Sequence, residues 1–313
     1  MIVVRFTSGL GNQMYQYSFY ELMKEKYGSE NVKADITWFN ANNDHHGYEL
    51  ENIFGNVKDS LFEVNHATFS DLFKVTGIIP NVYGRTFEKI RRYPNRIIRE
   101  FTQNKRKPFI FDQLFGELSE DEFYNSVMNL DVSKDYYIMG FFTEQKYYRD
   151  RMDLVRKKLV FPEILNDSAN TFLEDICSSE SVSIHVRRGD YLSDTYKDQF
   201  ISLGKEYYED AVKYIKEKFD NPRFFIFSDD KEFIEKEFNW LENKCIVTGN
   251  DGNRSYLDMI LMSRCKANII ANSTFSQWGS LLNNKEHITL YPRAYMKGTD
   301  NEVKTLPGWV MIG

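Results

Sequence analysis

From residue 182 onward, short apolar runs rich in β-forming residues alternate with stretches whose apolar residues recur at helical spacing, a pattern that restricts this part of the chain to a parallel sheet wrapped by helices. The runs are Val182–Arg187, Arg223–Phe227, Cys245–Thr248, Ala267–Ala271 and His287–Tyr291. Between them the helical stretches lie around Tyr207–Phe219, Lys231–Trp240, Tyr256–Cys265 and Phe275–Leu282. Tyr208, Val212 and Ile215 form one apolar stripe, and Leu257, Ile260 and Leu261 another. The second half is therefore predicted to be a Rossmann-like βαβ series of the α/β class.

The first half begins in the same way. Ile2–Phe6 reads as a strand, a Gly-containing turn follows, and the next helix presents Tyr15, Phe19, Leu22 and Met23 to the sheet, with Gly28 as its stop. From Thr37 to about Asp131 the pattern weakens: residues 38–47 read as an irregular loop, and helix and loop signals mix from Phe62 to Tyr93. A strand at Tyr136–Met139 and a helix over Tyr148–Leu159 lead to Phe161-Pro162, where a domain connection is expected. A length of 313 residues favours two domains, taken as residues 1–172 and 173–313.

Hydrophobic residues at 42% and aromatics at 16% supply enough apolar surface for two real cores. The formal charge of -6 argues against a nucleic-acid partner, which demands an excess of Lys and Arg on one face. Basic residues do cluster in Arg91, Arg92, Arg96, Arg99, Lys105, Arg106 and Lys107. They read as a solvated helix face and loop, or else as a peripheral contact with a membrane surface or an anionic lipid-linked acceptor. Cys177, Cys245 and Cys265 have neither disulfide-framework nor zinc-site spacing, and read as thiols of a reducing compartment. Met1 runs straight into Ile2–Phe6, too short and too quickly polar for a signal peptide or a span, so a cytoplasmic location is expected.

Ligands of open parallel sheets sit beyond the carboxyl ends of the strands, so the residues just after each run carry the functional signal. In His185-Val186-Arg187-Arg188-Gly189-Asp190, alternation puts Ser183, His185 and Arg187 on one face and Ile184 and Val186 on the other. Arg187 then reaches the ligand edge with a fork of donors suited to phosphate oxygens; the alternative is two structural arginines paired with Asp190. Ser228-Asp229-Asp230 offers a carboxylate to a guanine edge, or a helix cap. No D-x-D element is present, so a metal clamp of that kind has no ligand set.

Asn272-Ser273-Thr274-Phe275 opens a helix whose N-H groups and dipole suit a diphosphate, again with capping as the alternative; Trp278 reads as packing. Thr7-Ser8-Gly9-Leu10-Gly11-Asn12-Gln13 lacks the third glycine of a dinucleotide fingerprint. It supports only a tight turn near an anion, with Gly11, Asn12 and Gln13 beside it.

In this order, Gly-Leu-Gly-Asn-Gln-Met, His-Val-Arg-Arg-Gly-Asp-Tyr, Phe-Ser-Asp-Asp, Asn-Ser-Thr-Phe-Ser followed by Trp-Gly, and the ending Leu306-Pro307-Gly308-Trp309 resemble the α-1,2-fucosyltransferases of glycosyltransferase family 11, chiefly the bacterial members. The chain departs from the family at Ser8, where many members have a second glycine, at Gln277, often tryptophan, and at Gly140–Thr143, where Tyr-Trp-Gln is common.

The resemblance implies a GT-B arrangement of two Rossmann-like domains with a cleft between them. It also implies GDP-fucose as donor substrate with neither metal nor cofactor, and a β-galactoside-terminated oligosaccharide or lipid-linked glycan as acceptor. Arg187 would contact the β-phosphate, with Arg188 beside it; His185 would lie near the guanine and Asp229 would read it, while Ser273, Thr274 and Phe275 would add diphosphate contacts. For an inverting reaction Arg187 would stabilise the leaving group, and Asp190 would serve as the base or orient the arginines. A fucosyltransferase of other linkage, a Rossmann-type NAD-binding oxidoreductase and a non-catalytic sugar-binding protein are the competing readings.

Overall fold

The computed structural model describes residues 1–42, 46–77, 109–111, 118–164, 167–189, 198, 200–294, 296–297 and 306–313. Asp190 and the basic residues from Arg91 to Lys107 lie outside that set. The described chain forms two compact units, Met1–Val160 and Phe161–Gly313.

In the first unit, β1 (Ile2–Arg5) buries Ile2, Val3 and Val4 because parallel neighbours flank it and helical or aromatic layers cover the sheet. It leads into α1 (Leu10–Tyr27), then β2 (Val32–Asp35) and α2 (Phe69–Thr76), β3 (Phe109–Phe111), α3 (Glu120–Met128), β4 (Tyr136–Met139) and α4 (Met152–Lys158). The sheet is parallel in the order β2-β1-β4-β3, with Arg5 opposite Asp35 in register. Gly28 closes α1, as its position predicts, donating its N–H to the Lys24 carbonyl at 3.0 Å.

The expected single stripe on α1 understates its burial. Met14, Tyr17 and Tyr20 are as buried as Tyr15 and Phe19, because aromatic rings add to the covering the sheet provides. Phe19 stacks on Phe142 with centroids 3.8 Å apart, and Tyr17 stacks on Phe62 at 4.8 Å. Within the stretch of weak pattern, Thr37–Asn40 forms a 3-10 turn and Glu51–Gly55 a π-helical turn.

The second unit runs α5 (Asp167–Ser178), β5 (Glu180–Val186), α6 (Lys205–Lys216), β6 (Pro222–Ser228), α7 (Lys231–Glu237), β7 (Lys244–Ile246), α8 (Tyr256–Met262), β8 (Ala267–Ile269), α9 (Thr274–Leu281), β9 (Ile288–Pro292) and β10 (Val310–Ile312). All six strands are parallel, in the order β10-β9-β8-β5-β6-β7. Val182, Ile184 and Val186 pack with Phe224 and Ile226 against Val212, Ile215 and Ile234, the apolar side that strand alternation predicts.

On the opposite face Asn268 Nδ2 donates to Ser183 Oγ at 2.6 Å. There Gly279 lets α8 and α9 approach closely, since a Cβ would stand 2.9 Å from that of Met262. Trp278 is fully buried. The units divide between Val160 and Phe161, so α5 falls in the second unit, where it packs on β5 and α8.

Candidate active site

The strand order fixes where the second unit binds its ligand. From β5 the chain proceeds through β6 to β7 on one side, then returns to place β8, β9 and β10 on the other. The strand order reverses between β5 and β8, and the carboxyl ends of the strands at such a reversal are the general ligand position of doubly wound sheets. Arg187, Arg188 and Gly189 follow β5 directly, and Asn272, Ser273 and Thr274 follow β8.

The two arginines have different surroundings. Arg187 Nη1 lies 2.9 Å from Asp229 Oδ2, with about a quarter of the Arg187 side chain exposed. Arg188 is taken up by α7: its guanidinium lies 3.5 Å from the Phe233 ring centroid, and its Nε donates to Asp230 Oδ2 at 3.1 Å. Asp230 in turn caps α7 by accepting the Phe233 N–H at 3.0 Å. That N–H, and then Arg188, hold the Asp230 carboxyl below its ordinary pKa. Arg188 is thus held by α7 through both its ring contact and its ion pair, whereas Arg187 pairs with Asp229 at the end of β5.

Asp229 differs from the sequence expectation. Its Oδ1 accepts the Arg188 N–H at 3.0 Å and its Oδ2 the Gly189 N–H at 3.1 Å, in addition to the Arg187 guanidinium. A carboxylate that gathers two backbone amides and a guanidinium organises the turn after β5, and these bonds compete with any guanine edge for its lone pairs. A Cβ at Gly189 would stand 2.8 Å from Asp229 Oδ2, so a side chain there would displace that carboxylate.

His185 is buried, and its Nδ1 has no hydrogen-bond partner among the described residues. Burial, reinforced by Arg187, pushes its pKa down to about 3, so the ring stays neutral at any working pH. Its centroid lies 5.9 Å from that of Phe275, which joins the β5 edge to the start of α9. Ser273 occupies the N-cap position of α9 without its hydroxyl capping the helix. The N–H groups of that first turn therefore receive no cap from the Ser273 hydroxyl.

Gly11 and Asn12 belong to the other unit, in the first turn of α1 beyond the carboxyl end of β1. That turn is held by two buried glutamines. Gln13 donates to the carbonyls of Ser8 and Gly47, both at 2.8 Å, and Gln16 accepts the Thr7 N–H at 2.9 Å. Gln13 is thus a clamp rather than a ligand group. Ser8 has φ 65°, the left-handed region that glycine adopts at less cost.

A further carboxyl escaped the sequence reading. Asp258 on α8 accepts a hydrogen bond from Asn250 Nδ2 at 2.7 Å, and burial pushes its pKa up to about 7 despite that bond. Its one signal in the sequence is a lone charge inside the otherwise apolar Tyr256–Met262 helix.

Comparison with known proteins places this geometry. The family model described as glycosyl transferase family 11 matches residues 1–313. The chain belongs to glycosyltransferase family 11. It is 30% identical to an alpha-1,2-colitosyltransferase of Escherichia coli over 100% of this chain and 99% of that one. It is 28% identical to the O-antigen biosynthesis glycosyltransferase WbnK of Escherichia coli, with 98% of each chain covered.

Among solved structures it resembles NodZ alpha-1,6-fucosyltransferase soaked with GDP-fucose, at a TM-score of 0.51 and 13% identity, covering 90% of this chain and 91% of that one. The fold is accordingly that of GT-B glycosyltransferases, with two Rossmann-like units. No helix among the described residues is long and apolar enough to cross a membrane.

Proposed function

We propose that this family 11 enzyme transfers L-fucose, with inversion, from GDP-fucose to the 2-hydroxyl of a terminal β-galactoside on a glycan precursor such as a lipid-linked O-antigen unit. The observation that carries the reading is Arg187, held by Asp229 at the strand-order reversal of a family 11 chain. Breaking the C1–O bond sends an electron pair and negative charge to the diphosphate. In a metal-free transfer fixed donors must meet that charge, and Arg187 with the first turn of α9 supplies them.

His185 and Phe275 flank the nucleotide, and Gly11 and Asn12 line the acceptor-side unit. The relative named for colitose transfer makes GDP-colitose the second donor to test, since colitose is fucose without its 3-hydroxyl. Purified protein is incubated with GDP-fucose or GDP-colitose, a panel of β-galactosides, and EDTA. The expected result is an α-1,2-linked product that survives EDTA. Binding of NAD, or of sugar without turnover, overturns the reading.

Asp258 is assigned the guanine edge in place of Asp229. As an anion it accepts the paired N–H donors of guanine, so GDP affinity should rise as pH climbs through about 7, where the carboxyl loses its proton. Asp258→Asn should weaken GDP about 10- to 100-fold, abolish that pH dependence and reduce the preference for GDP over ADP, as calorimetry reads directly. An unchanged dissociation constant overturns the assignment.

A further inference from the structure

Glu49 is an anomaly in the first unit. The residue is 7% exposed, yet its carboxyl has neither a hydrogen bond nor an ion pair among the described residues. Its oxygens keep a little solvent access, since neither is among the sealed, unpartnered polar atoms. The backbone, by contrast, is pinned on both sides. The Glu49 N–H donates to Gln13 Oε1 at 3.0 Å, and the Glu49 carbonyl accepts the Ile53 N–H at 3.0 Å.

Gln13 also holds the carbonyls of Ser8 and Gly47, so a single buried amide fixes Glu49 against the turn that follows β1. That turn marks the ligand edge of the first sheet, because β2 lies on one side of β1 and β4 on the other. A carboxyl serving packing alone would be replaced without loss by an amide or an apolar side chain, for an unpaired buried carboxylate costs folding free energy. Retaining one on a clamped backbone, with access to solvent and no internal partner, is the arrangement of a group reserved for a ligand.

We propose that Glu49 binds the acceptor's reacting hydroxyl and takes its proton during transfer. The assignment rests on the fucosyl- or colitosyltransfer reading and on the first unit as the acceptor side. In the step, the acceptor oxygen forms its bond to the sugar C1 as the C1–O bond to the diphosphate breaks. The electron pair leaves with GDP, the hydroxyl proton goes to a Glu49 oxygen, and water later removes it. The chemistry suits the site. Burial alone raises the Glu49 carboxyl to about 7, with no neighbouring charge contributing, and a base is most effective when its pKa lies near the working pH.

The test compares wild type with Glu49→Gln and Asp190→Asn, reading kcat, KM, pH profile, GDP binding and Tm. Glu49→Gln keeps the shape and loses only the ability to accept a proton. Its kcat should fall about 10²- to 10⁴-fold with GDP affinity unchanged, and the acidic limb near pH 7 should vanish from the residual rate. Because the wild-type carboxyl is protonated more readily folded than unfolded, its ionisation destabilises the fold as pH rises from about 4.5 toward 7. The Tm of Glu49→Gln should therefore exceed that of wild type at pH 8 and converge with it below about pH 5.

A rate within threefold of wild type overturns the proposal, as does a loss of rate accompanied by a lower Tm at pH 8. An acidic limb that disappears in Asp190→Asn and persists in Glu49→Gln assigns the base to Asp190 and overturns it as well. A wild-type protein that transfers neither fucose nor colitose fails the underlying reading, and this proposal with it. Failure of Glu49→Gln in an active wild type touches this proposal alone.

Discussion

Replacing Arg187 with alanine should lower kcat about a hundredfold to a thousandfold at saturating donor, leaving a folded protein. The size follows from removing one fixed donor to a charge that grows in the transition state, roughly 2.7–4 kcal/mol. The fold should tolerate the change, because the Arg187 side chain is about a quarter exposed and Asp229 retains two backbone N–H donors from Arg188 and Gly189. Arg187→Lys should fall between wild type and alanine, since an ammonium keeps the charge and loses the planar fork that matches phosphate oxygens. Single-turnover rates with a Tm check measure both variants. Full activity in folded Arg187→Ala protein removes Arg187 from the chemistry.

The sequence carried much of the second unit because each strand there combines an apolar run with a helix of clear period. The five runs correspond to β5 through β9, and the alternation of Ser183 and His185 against Ile184 and Val186 is the alternation of the folded sheet. Strand order was out of reach, since no local pattern encodes which edge of β5 receives β8. In the first unit β2 is only Val32-Lys33-Ala34-Asp35, and two charged residues in four hide its burial. The edge strand β10 is a three-residue run beside a Pro-Gly turn, equally weak as a signal.

Residue types at strand ends single out Arg187, His185 and Ser273 as candidates. They did not say which partner each side chain would take. Only the folded chain reveals that the Arg187 guanidinium and the Arg188 and Gly189 N–H groups hold Asp229, while Asp258 is buried beside Asn250. Glu49 had no local signal at all, because its clamp, Gln13, lies on another element.

Asp229→Asn should reduce transfer about a hundredfold and lower the Tm by several degrees, a pair of effects that separates turn-building from base recognition. An amide has a single acceptor oxygen, whereas Asp229 now receives the Arg187 guanidinium and two backbone N–H groups on two oxygens. At least one amide of the turn would then face the new NH2 group, and Arg187 would lose the Asp229 charge. Each charge-assisted bond lost costs about 1.5–3 kcal/mol, reduced here by partial exposure. A displacement of about 1 Å in a group that must meet the diphosphate is enough for the loss of rate. Gly189→Ala supplies the control that leaves every charge in place. Its Cβ would stand 2.8 Å from Asp229 Oδ2 and must push the carboxylate off the turn, so kcat should fall in the same direction. If Asp229 instead contacted only the guanine, Asp229→Asn would raise the KM for the donor while leaving kcat and Tm at wild-type values, and Gly189→Ala would not reproduce its loss of rate.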